Sequence, residues 1–340
     1  MPARNHHSPR ATKAVRLGDP QLDRYLEFVE SRARHNTLLA TASDLKAFFA
    51  VVDKPTTEVT AADVLGFIAE QRKPRGDGKV VRLVDGEAGL TARTIKRRLS
   101  SVSGLYSYLV LCGDVMANPV PRGLATRHGG GRGPGLIRSP RTLPKILSPA
   151  EVNGLVGALR THRDRAMVEA MVLGGLRRCE VLGLRMEDLR PGEHQVFIAD
   201  GKGGHQRLVP MSPRFFRSVG LYLEHERPRE ASTAYVFVAL KGAVRGQPLA
   251  DDGLDKVVMN AKNRAGLVHC TCHELRHTCL TRLREAGMAL EAIQAQAGHR
   301  SLDSTRVYLH LANDWLAAEY VRAAAIIDGH IADEFQAVAK

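Results

Sequence analysis

Apolar residues recur three and four positions apart through the first third of the chain, and this spacing predicts amphipathic helices. The third of these helices begins after Thr60, a plausible N-cap with Asp63 three positions on, and the fourth opens at Thr91. Because such stripes can cover one another, we expect a helical domain over residues 19–118. The stripes contain Leu22, Tyr25, Leu26 and Val29; Leu45, Phe48 and Phe49; Val64, Phe67 and Ile68; and Ile95, Leu99, Val102, Leu105 and Leu109.

The second half of the chain mixes helical spacing with a segment of alternating polarity. Ser148, Pro149 and Glu151 have the form of a helix start, with serine as N-cap and proline at the first helical position. Residues 195–199 and 207–209, on either side of a glycine-rich turn, predict a β-hairpin. We therefore expect a mainly α fold with a small antiparallel β-sheet. The other predicted helices cover 163–173, 178–184, 281–286, 290–297, 305–309 and 314–327.

Composition separates these two regions. Residues 119–147 are rich in glycine, proline and arginine, which predicts a linker between two domains. A chain of 340 residues is also longer than the ~100–200 residues of a typical domain. We expect a second domain over residues 148–312 and a C-terminal helix within residues 313–340. Residues 1–18 carry basic side chains among small polar ones, which predicts a basic arm that is disordered when its ligand is absent.

The chain is basic, with a formal net charge of +13. Residues 1–145 contain 24 Lys and Arg against 13 Asp and Glu, whereas the remainder is nearly balanced. Such a surface favours a polyanion, because phosphate binding releases counterions. The fourth helix presents a basic run without an interspersed acid, which predicts phosphate contact; a solvated helix face is the alternative. The run consists of Arg93, Lys96, Arg97 and Arg98.

Six residues of the second half have the chemistry needed to cut a phosphodiester bond. During displacement the phosphate gathers negative charge on its non-bridging oxygens, and arginines aimed at those oxygens stabilise that charge. A tyrosine can be the nucleophile and a lysine the proton donor. Taken singly, each residue has a structural alternative, as a helix cap, a solvated turn residue or part of an amphipathic core. The six are Arg177, Lys202, His273, Arg276, His299 and Tyr308.

In this order and spacing, the motifs resemble those of the tyrosine recombinase family, also called phage integrases, in its Xer-like and transposon-type members. Ala297 stands where the family usually has leucine, a change expected to affect packing and not chemistry. The first domain is similar to the family's helical core-binding domain, and the second to its catalytic domain. The matching segments are 175–184 for the first arginine box, 201–210 for the lysine hairpin, 273–278 for the His-x-x-Arg box and 296–308 for the final box.

The resemblance implies a site-specific DNA recombinase that cleaves and rejoins strands through a 3′-phosphotyrosine intermediate. Tyr308 would be the nucleophile. Arg177 and Arg276 would form charge-assisted bonds to the non-bridging oxygens, and His299 would hydrogen-bond the phosphate. No metal, nucleotide or other cofactor is expected, because cations and an internal nucleophile carry the reaction.

Two groups are assigned to proton transfer, and a third orients the site. Tyrosine has an ordinary pKa of about 10, so its hydroxyl needs a proton acceptor, and His273 is the candidate base. Lys202, in a glycine-rich turn, is the candidate acid for the leaving 5′ oxygen. Glu180, at the acidic position of the first arginine box, would orient Arg177 or His273.

The expected partner is double-stranded DNA at a recombination site. Family resemblance implies a homotetramer on two duplexes, with the helix at 314–327 docked on a neighbouring protomer; packing on its own domain is the alternative. Free protein is expected as monomer or dimer, and an accessory protein is a further candidate partner. A membrane partner is not expected, because the sequence has no apolar run of about 18 residues. The five cysteines are not regularly spaced as in a disulfide framework, which favours the cytoplasm.

Two other functions fit parts of the sequence. A DNA-binding regulator of the same fold would have lost the chemistry, but none of the arginines or the tyrosine is missing. His273, Glu274 and His277 also form a literal His-Glu-x-x-His motif, which on a helix can bind zinc. That reading needs a third ligand, Glu285 or Glu291, and it leaves the arginines, the lysine and the tyrosine unexplained.

Overall fold

The computed structural model describes residues 15–73, 89–121, 136–137, 144–199 and 206–298. Two compact units divide the chain between Arg141 and Thr142. The predicted helices at 305–309 and 314–327 lie outside the described residues, as do most of the predicted arm and linker. Within the described ranges, every helix is too short or too polar to cross a bilayer.

The described part of the N-terminal unit contains four α-helices, in agreement with the apolar spacing. Their starts follow from local capping. Asp19 accepts hydrogen bonds from the amides of Gln21 and Leu22, and Thr60 and Asp63 form the predicted capping box. The helices are α1 (Pro20–Arg32), α2 (His35–Val52), α3 (Ala61–Arg72) and α4 (Ala92–Cys112).

The core of this unit lies where α2 meets the other three helices. Phe48 of α2 is fully buried, and its ring meets that of Phe67 edge-on at a centroid distance of 5.0 Å. Ile95 and Leu105 bury the apolar stripe of α4. This burial fixes the opposite side of α4, which carries the basic run, towards the surface.

Two segments predicted to be irregular end in defined contacts. The amide of Leu17, in the predicted arm, donates to Asp23 Oδ1 at 2.6 Å. Leu147, the last residue of the predicted linker, is fully buried in the core of the C-terminal unit. Its amide donates to Thr278 Oγ1 at 2.9 Å. The chain therefore enters the second unit through an anchored residue.

The C-terminal unit packs its helices around α6, a central helix with residues 166–172 all buried. α6 lies against α8 on one side and α10 on another. Ser148 and Glu151 form the predicted capping box at the start of α5. The helices described here are α5 (Pro149–Gly157), α6 (His162–Val172), α7 (Arg178–Leu182), α8 (Pro213–His225), α9 (Asp251–Arg264), α10 (Cys272–Glu285) and α11 (Leu290–Ala297).

A small antiparallel sheet completes this unit and confirms the predicted fold class. Its strands are β1 (Leu189–Arg190), β2 (Gln195–Ile198) and β3 (Arg207–Pro210), in the order β1-β2-β3. β2 and β3 form the predicted hairpin, with Val196 opposite Val209. Both valines are fully buried, so the pairing register sets which face of the hairpin meets the core.

Several elements differ from the sequence-based expectation. α8 and α9 have no counterpart among the predicted helices; the buried face of α8 includes Ser218, which interrupts its apolar stripe. α10 begins at Cys272, nine residues before the predicted start at 281. The inward residues of its first turns include Arg276 and Thr278, which are polar although buried. Apolar periodicity cannot detect a helix that buries polar side chains for a functional site.

Candidate active site and nucleic-acid interface

The turn after α6 positions the first predicted arginine. Gly175 has a φ of +68°, a left-handed conformation that residues with a side chain rarely adopt. A Cβ on Gly174 would lie 2.3 Å from Met211 Sδ, so this position also requires glycine. The two glycines reverse the chain and place Arg177 at the N-cap of α7.

Glu180 lies beneath Arg177 and is almost fully buried. One carboxylate oxygen accepts from Arg177 Nη1 at 2.7 Å, and the other accepts from the Arg177 backbone amide at 2.9 Å. Burial alone would raise the pKa of Glu180, but the hydrogen bonds and charge of Arg207, together with Arg177, lower it below its ordinary value. Glu180 is therefore an ionised group that holds Arg177. Arg177 is one of the two residues, with His273, that Glu180 was expected to orient.

Arg276 is the second predicted arginine, and only 3% of its surface is exposed. Its Nη1 donates to the Gly175 carbonyl, and its Nη2 donates to the Ala297 carbonyl at 2.7 Å. Nη1 also lies 3.9 Å from Glu180 Oε2. The structure thus brings Arg276 of α10 and Arg177 of α7 together around one carboxylate, although about a hundred residues separate them in the sequence.

Arg207, at the start of β3, is a third arginine of this cluster and was not predicted as a site residue. It binds Glu180 through two parallel hydrogen bonds of 3.0 and 2.9 Å, and its Nε donates to the Gln296 carbonyl at 3.2 Å. The sequence feature that could have predicted Arg207 as a site residue is its position in the hairpin that also contains Lys202. A buried carboxylate is stabilised when a cation pairs with it and its remaining lone pairs are hydrogen-bonded, and Arg207 is the arginine of that hairpin.

Gln296 connects three parts of the site. Its side-chain amide donates to the Gly174 carbonyl at 2.9 Å and to the Pro210 carbonyl at 3.2 Å. The end of α11 is therefore fixed to the glycine turn and to the end of β3. The carbonyls of three successive residues at this helix end each accept from an arginine. They are Gln296 from Arg207, Ala297 from Arg276, and Gly298 from Arg177.

His273 and His277 meet edge-to-face on one side of α10, with an interplanar angle of 76° and their Nε2 atoms 2.8 Å apart. Burial, together with the electrostatic influence of His273 and Arg276, lowers the pKa of His277 to about 4. His277 is therefore neutral near pH 7, and one imidazole must donate its Nε2 hydrogen to the other.

The contacts around this pair do not supply the ligand set of a zinc site. The carboxylate of Glu274, the base in that reading, lies 3.5 Å from His269 Nδ1. Within the described ranges, no three His, Cys, Asp or Glu side chains come together as metal ligands. Neither Glu285 nor Glu291 joins the two histidines in such a group. The observed geometry gives the hydrolase reading no third ligand.

Three of the six predicted catalytic residues, Lys202, His299 and Tyr308, lie outside the described residues. Lys202 falls between β2 and β3, and His299 directly follows Gly298, whose carbonyl accepts from Arg177 Nη2 at 3.2 Å. Their roles therefore stay predictions.

The basic run of α4 divides into two pairs. Arg93 and Lys96 are exposed, as a phosphate contact requires. Arg97 Nη1 lies 2.6 Å from Oδ2 of Asp44 on α2, and Arg98 Nε lies 3.9 Å from the other oxygen of the same buried carboxylate. The run itself contains no acid, as predicted, but the second pair faces an acid from outside the run. The acid comes from a different helix, 53 residues away in sequence.

Comparisons with known sequences cover both units. A profile of the phage integrase family matches residues 145–314, and a profile described as phage integrase, N-terminal SAM-like domain, matches residues 22–113. The chain is 28% identical over 307 residues to tyrosine recombinase XerD of Listeria monocytogenes serotype 4b (strain F2365), covering 85% of this chain and 93% of that protein. It is 32% identical over 242 residues to tyrosine recombinase XerC of Vibrio campbellii (strain ATCC BAA-1116), covering 69% of this chain and 72% of that one.

A solved structure shares the fold. A lambda integrase tetramer bound to a Holliday junction has a TM-score of 0.60 with this chain at 19% identity. The similarity covers 84% of this chain and 76% of the lambda protein. At 19% identity, this similarity shows a shared fold and nothing more specific.

Proposed function

This chain belongs to the phage integrase family and is a site-specific DNA recombinase; from that premise, we propose that it cleaves DNA through Tyr308. The observation that carries the proposal is the arginine pair on one buried carboxylate. Arg177 Nη1 lies 2.7 Å and Arg276 Nη1 lies 3.9 Å from the oxygens of Glu180. Two planar guanidiniums held at one point can form several charge-assisted bonds to the same phosphate.

The cleavage step is an in-line displacement at phosphorus. The Tyr308 oxygen forms a bond to the scissile phosphorus while the bond from phosphorus to the 5′ oxygen breaks. The product is a 3′-phosphotyrosine and a free 5′ hydroxyl. Because one phosphodiester replaces another, a 5′ hydroxyl from a second strand can reverse the step and rejoin the DNA. Arg177 and Arg276 stabilise the charge that develops on the non-bridging oxygens.

Two protons move during this exchange. His273 takes the proton of the Tyr308 hydroxyl, and Lys202 gives a proton to the leaving 5′ oxygen. The neutral ring of His277, 2.8 Å from His273, supports this role because it supplies a hydrogen-bond partner without a competing positive charge. His299 hydrogen-bonds the phosphate. The reaction needs no metal or nucleotide, because side chains supply the charge, the nucleophile and both proton transfers.

The domain assignment follows the same family pattern. Residues 19–118 form the core-binding domain and residues 148–312 the catalytic domain, with 119–147 as linker and 1–18 as a basic arm. Four protomers act on two duplexes, and residues 313–340 contact a neighbouring protomer. Free protein is a monomer or dimer. The lambda integrase tetramer on a Holliday junction supports this arrangement by analogy. A DNA substrate and five free cysteines favour the cytoplasm as its location.

The test of this proposal is to identify the DNA-linked residue. The full-length protein is incubated in EDTA with a nicked suicide duplex of the recombination site, so that the cleaved 5′ fragment escapes and the adduct persists. After nuclease and trypsin digestion, peptide 307–322 carries both Tyr308 and Tyr320, and fragmentation distinguishes them. We expect the nucleotide on Tyr308. DNA binding without an adduct, or an adduct on Tyr320, contradicts the proposal, and the first result favours a silent regulator.

The contribution of α4 to DNA binding can be measured by salt dependence. We expect Arg93→Ala and Lys96→Ala each to lower the slope of log Kd against log salt by about 0.9, because each loses one phosphate contact. Gel-shift titrations between low and moderate salt give this slope. Lys46→Ala is the matched control: its side chain is exposed, and it lies two residues, about 200° of helix rotation, beyond the α4-facing Asp44. A slope that changes equally in the control and the α4 variants argues against a specific contact.

A further inference from the structure

Arg207 is buried beside the two predicted phosphate-binding arginines, yet the mechanism above gives it no step. Its side chain is only 12% exposed. It makes hydrogen bonds to both oxygens of Glu180 and to the Gln296 carbonyl. An arginine with this many internal partners has few donors left for DNA. Its effect on cleavage must therefore pass through the groups that it holds.

We infer that Arg207 is a positioning residue for strand cleavage, which fixes the Glu180 carboxylate and the end of α11 so that Arg177 presents its guanidinium to the phosphate. The inference deepens the proposed function and rests on it. Arg207 itself does not touch the DNA.

The first part of the argument concerns the charge around Glu180. Three arginines face this carboxylate, Arg177 at the start of α7, Arg207 on β3 and Arg276 on α10. Arg207 binds both oxygens side by side, the geometry that a carboxylate and a guanidinium satisfy best. Without it, Glu180 loses two of its hydrogen bonds, and Arg177 becomes the main group that keeps the carboxylate ionised. The carboxylate would then draw Arg177 and Arg276 towards itself, in competition with the phosphate.

The second part concerns the chain that leads towards the nucleophile. Arg207 Nε holds the Gln296 carbonyl at 3.2 Å, and Gly298 lies directly against the same guanidinium. A Cβ on Gly298 would come within 2.9 Å of Arg207 Nη1, and its φ of +59° also favours glycine. The backbone therefore packs on the flat side chain of Arg207. The described chain leaves the site from this point, immediately before His299.

A lysine cannot replace these contacts. An ammonium group is a single point charge, whereas Arg207 binds two partners at once, the Glu180 carboxylate through Nη1 and Nη2 and the Gln296 carbonyl through Nε. Arg207→Lys keeps the charge near Glu180 and should preserve the fold. It still loses the paired geometry and the bond to α11. This variant separates positioning from simple charge neutralisation.

The same unit contains a matched control. Arg214 of α8 binds the buried Glu169, with Nε 2.9 Å from Oε1, so this pair also joins an arginine to a carboxylate of 1% exposure. This pair lies outside the arginine cluster around Glu180, and the Arg214 side chain is 58% exposed against 12% for Arg207, so the melting temperature of each variant is compared as well. If Arg207 matters only for stability, Arg207→Gln and Arg214→Gln should have the same consequences for cleavage.

The experiment measures single-turnover cleavage of the suicide duplex at saturating full-length protein, together with Kd and the melting temperature. We expect Arg207→Gln and Arg207→Lys to slow cleavage roughly 10–100-fold. This is the range found when residues that orient metal-binding side chains are mutated, and Arg207 would orient Arg177 in a comparable way. Kd should stay within about twofold, because Arg207 makes no DNA contact, a change of under about 0.5 kcal/mol. Arg214→Gln should cleave at nearly the wild-type rate.

A double-mutant cycle with Glu180→Gln tests the route of the effect. If Arg207 acts through Glu180, Arg207→Gln should cost much less in the Glu180→Gln background than in wild type. Equal costs in both backgrounds overturn the inference, as does wild-type cleavage by Arg207→Lys or a parallel loss in Arg214→Gln. Failure of the proposed function is distinct, because wild-type protein would then form no Tyr308 adduct in the same assay.

Discussion

We expect that replacing Tyr308 with phenylalanine abolishes the covalent protein–DNA adduct while DNA binding persists. Phenylalanine keeps the ring but lacks the oxygen that forms the bond to phosphorus. Loss of the nucleophile of a covalent mechanism costs on the order of 10⁴-fold or more, which puts the adduct below detection. The measurement is the gel-shifted covalent band from the suicide duplex in EDTA, with Kd determined in parallel.

Tyr320→Phe is the matched control for this change. It removes the other hydroxyl of the same tryptic peptide, and we expect it to form adduct at the wild-type rate. A covalent band that persists in Tyr308→Phe means that another residue attacks the DNA. A band lost equally in both variants means that the segment, and not one hydroxyl, is required.

We expect that replacing Arg276 with lysine slows cleavage roughly 100–1,000-fold, the cost of removing one preorganised donor from an oxyanion site. The structure gives the reason that lysine does not substitute. Arg276 donates through Nη1 to the Gly175 carbonyl and through Nη2 to the Ala297 carbonyl, so two bonds fix the plane of its guanidinium. A lysine ammonium can satisfy one of these carbonyls and cannot present a planar fork to the phosphate. Single-turnover cleavage under saturating protein measures the loss.

Arg190→Lys serves as control for this second change. Arg190 lies on the surface of the same unit, 3.5 Å from Glu193, and exposed ion pairs contribute little to stability. We expect this control to cleave like wild type. Because Arg276 is buried, melting temperature is recorded for both variants. An Arg276→Lys protein that melts like wild type and cleaves within about threefold of it would remove Arg276 from the mechanism.

The fold class and the boundaries of many elements could be predicted because the signals are local. Thr60 with Asp63, and Ser148 with Glu151, form capping boxes whose partners are three residues apart. The hairpin could be predicted from alternating polarity and a glycine-rich turn. The weakest predictions concern α8, α9 and the start of α10. In α10 a functional site buries polar side chains such as Arg276 and Thr278, which hides the apolar period.

The α4 surface shows the same limit for charge. The sequence alone does not distinguish the four basic residues of this helix, Arg93, Lys96, Arg97 and Arg98. The fold distinguishes them, because Asp44 of α2 is buried against α4 and accepts from Arg97 at 2.6 Å. Asp44 also accepts from Ser101 of α4 at 2.9 Å. Arg93 and Lys96 are therefore the better candidates for releasing counterions from DNA, because Arg97, although 51% exposed, and Arg98 both face Asp44.

The sequence by itself determined the family, the mainly α fold with a small sheet, and the identities of the residues suited to phosphoryl transfer. These features can be predicted because the residue types of a motif and the spacing of apolar residues are properties of short stretches of the chain. Only the tertiary structure decided that Glu180 is shared by three arginines and that Arg207 belongs to the site. It also decided that Gln296 joins the glycine turn to β3, 122 and 86 residues away. Such contacts depend on the whole path of the chain, because a buried charge takes its partners from whichever elements packing brings within hydrogen-bond distance.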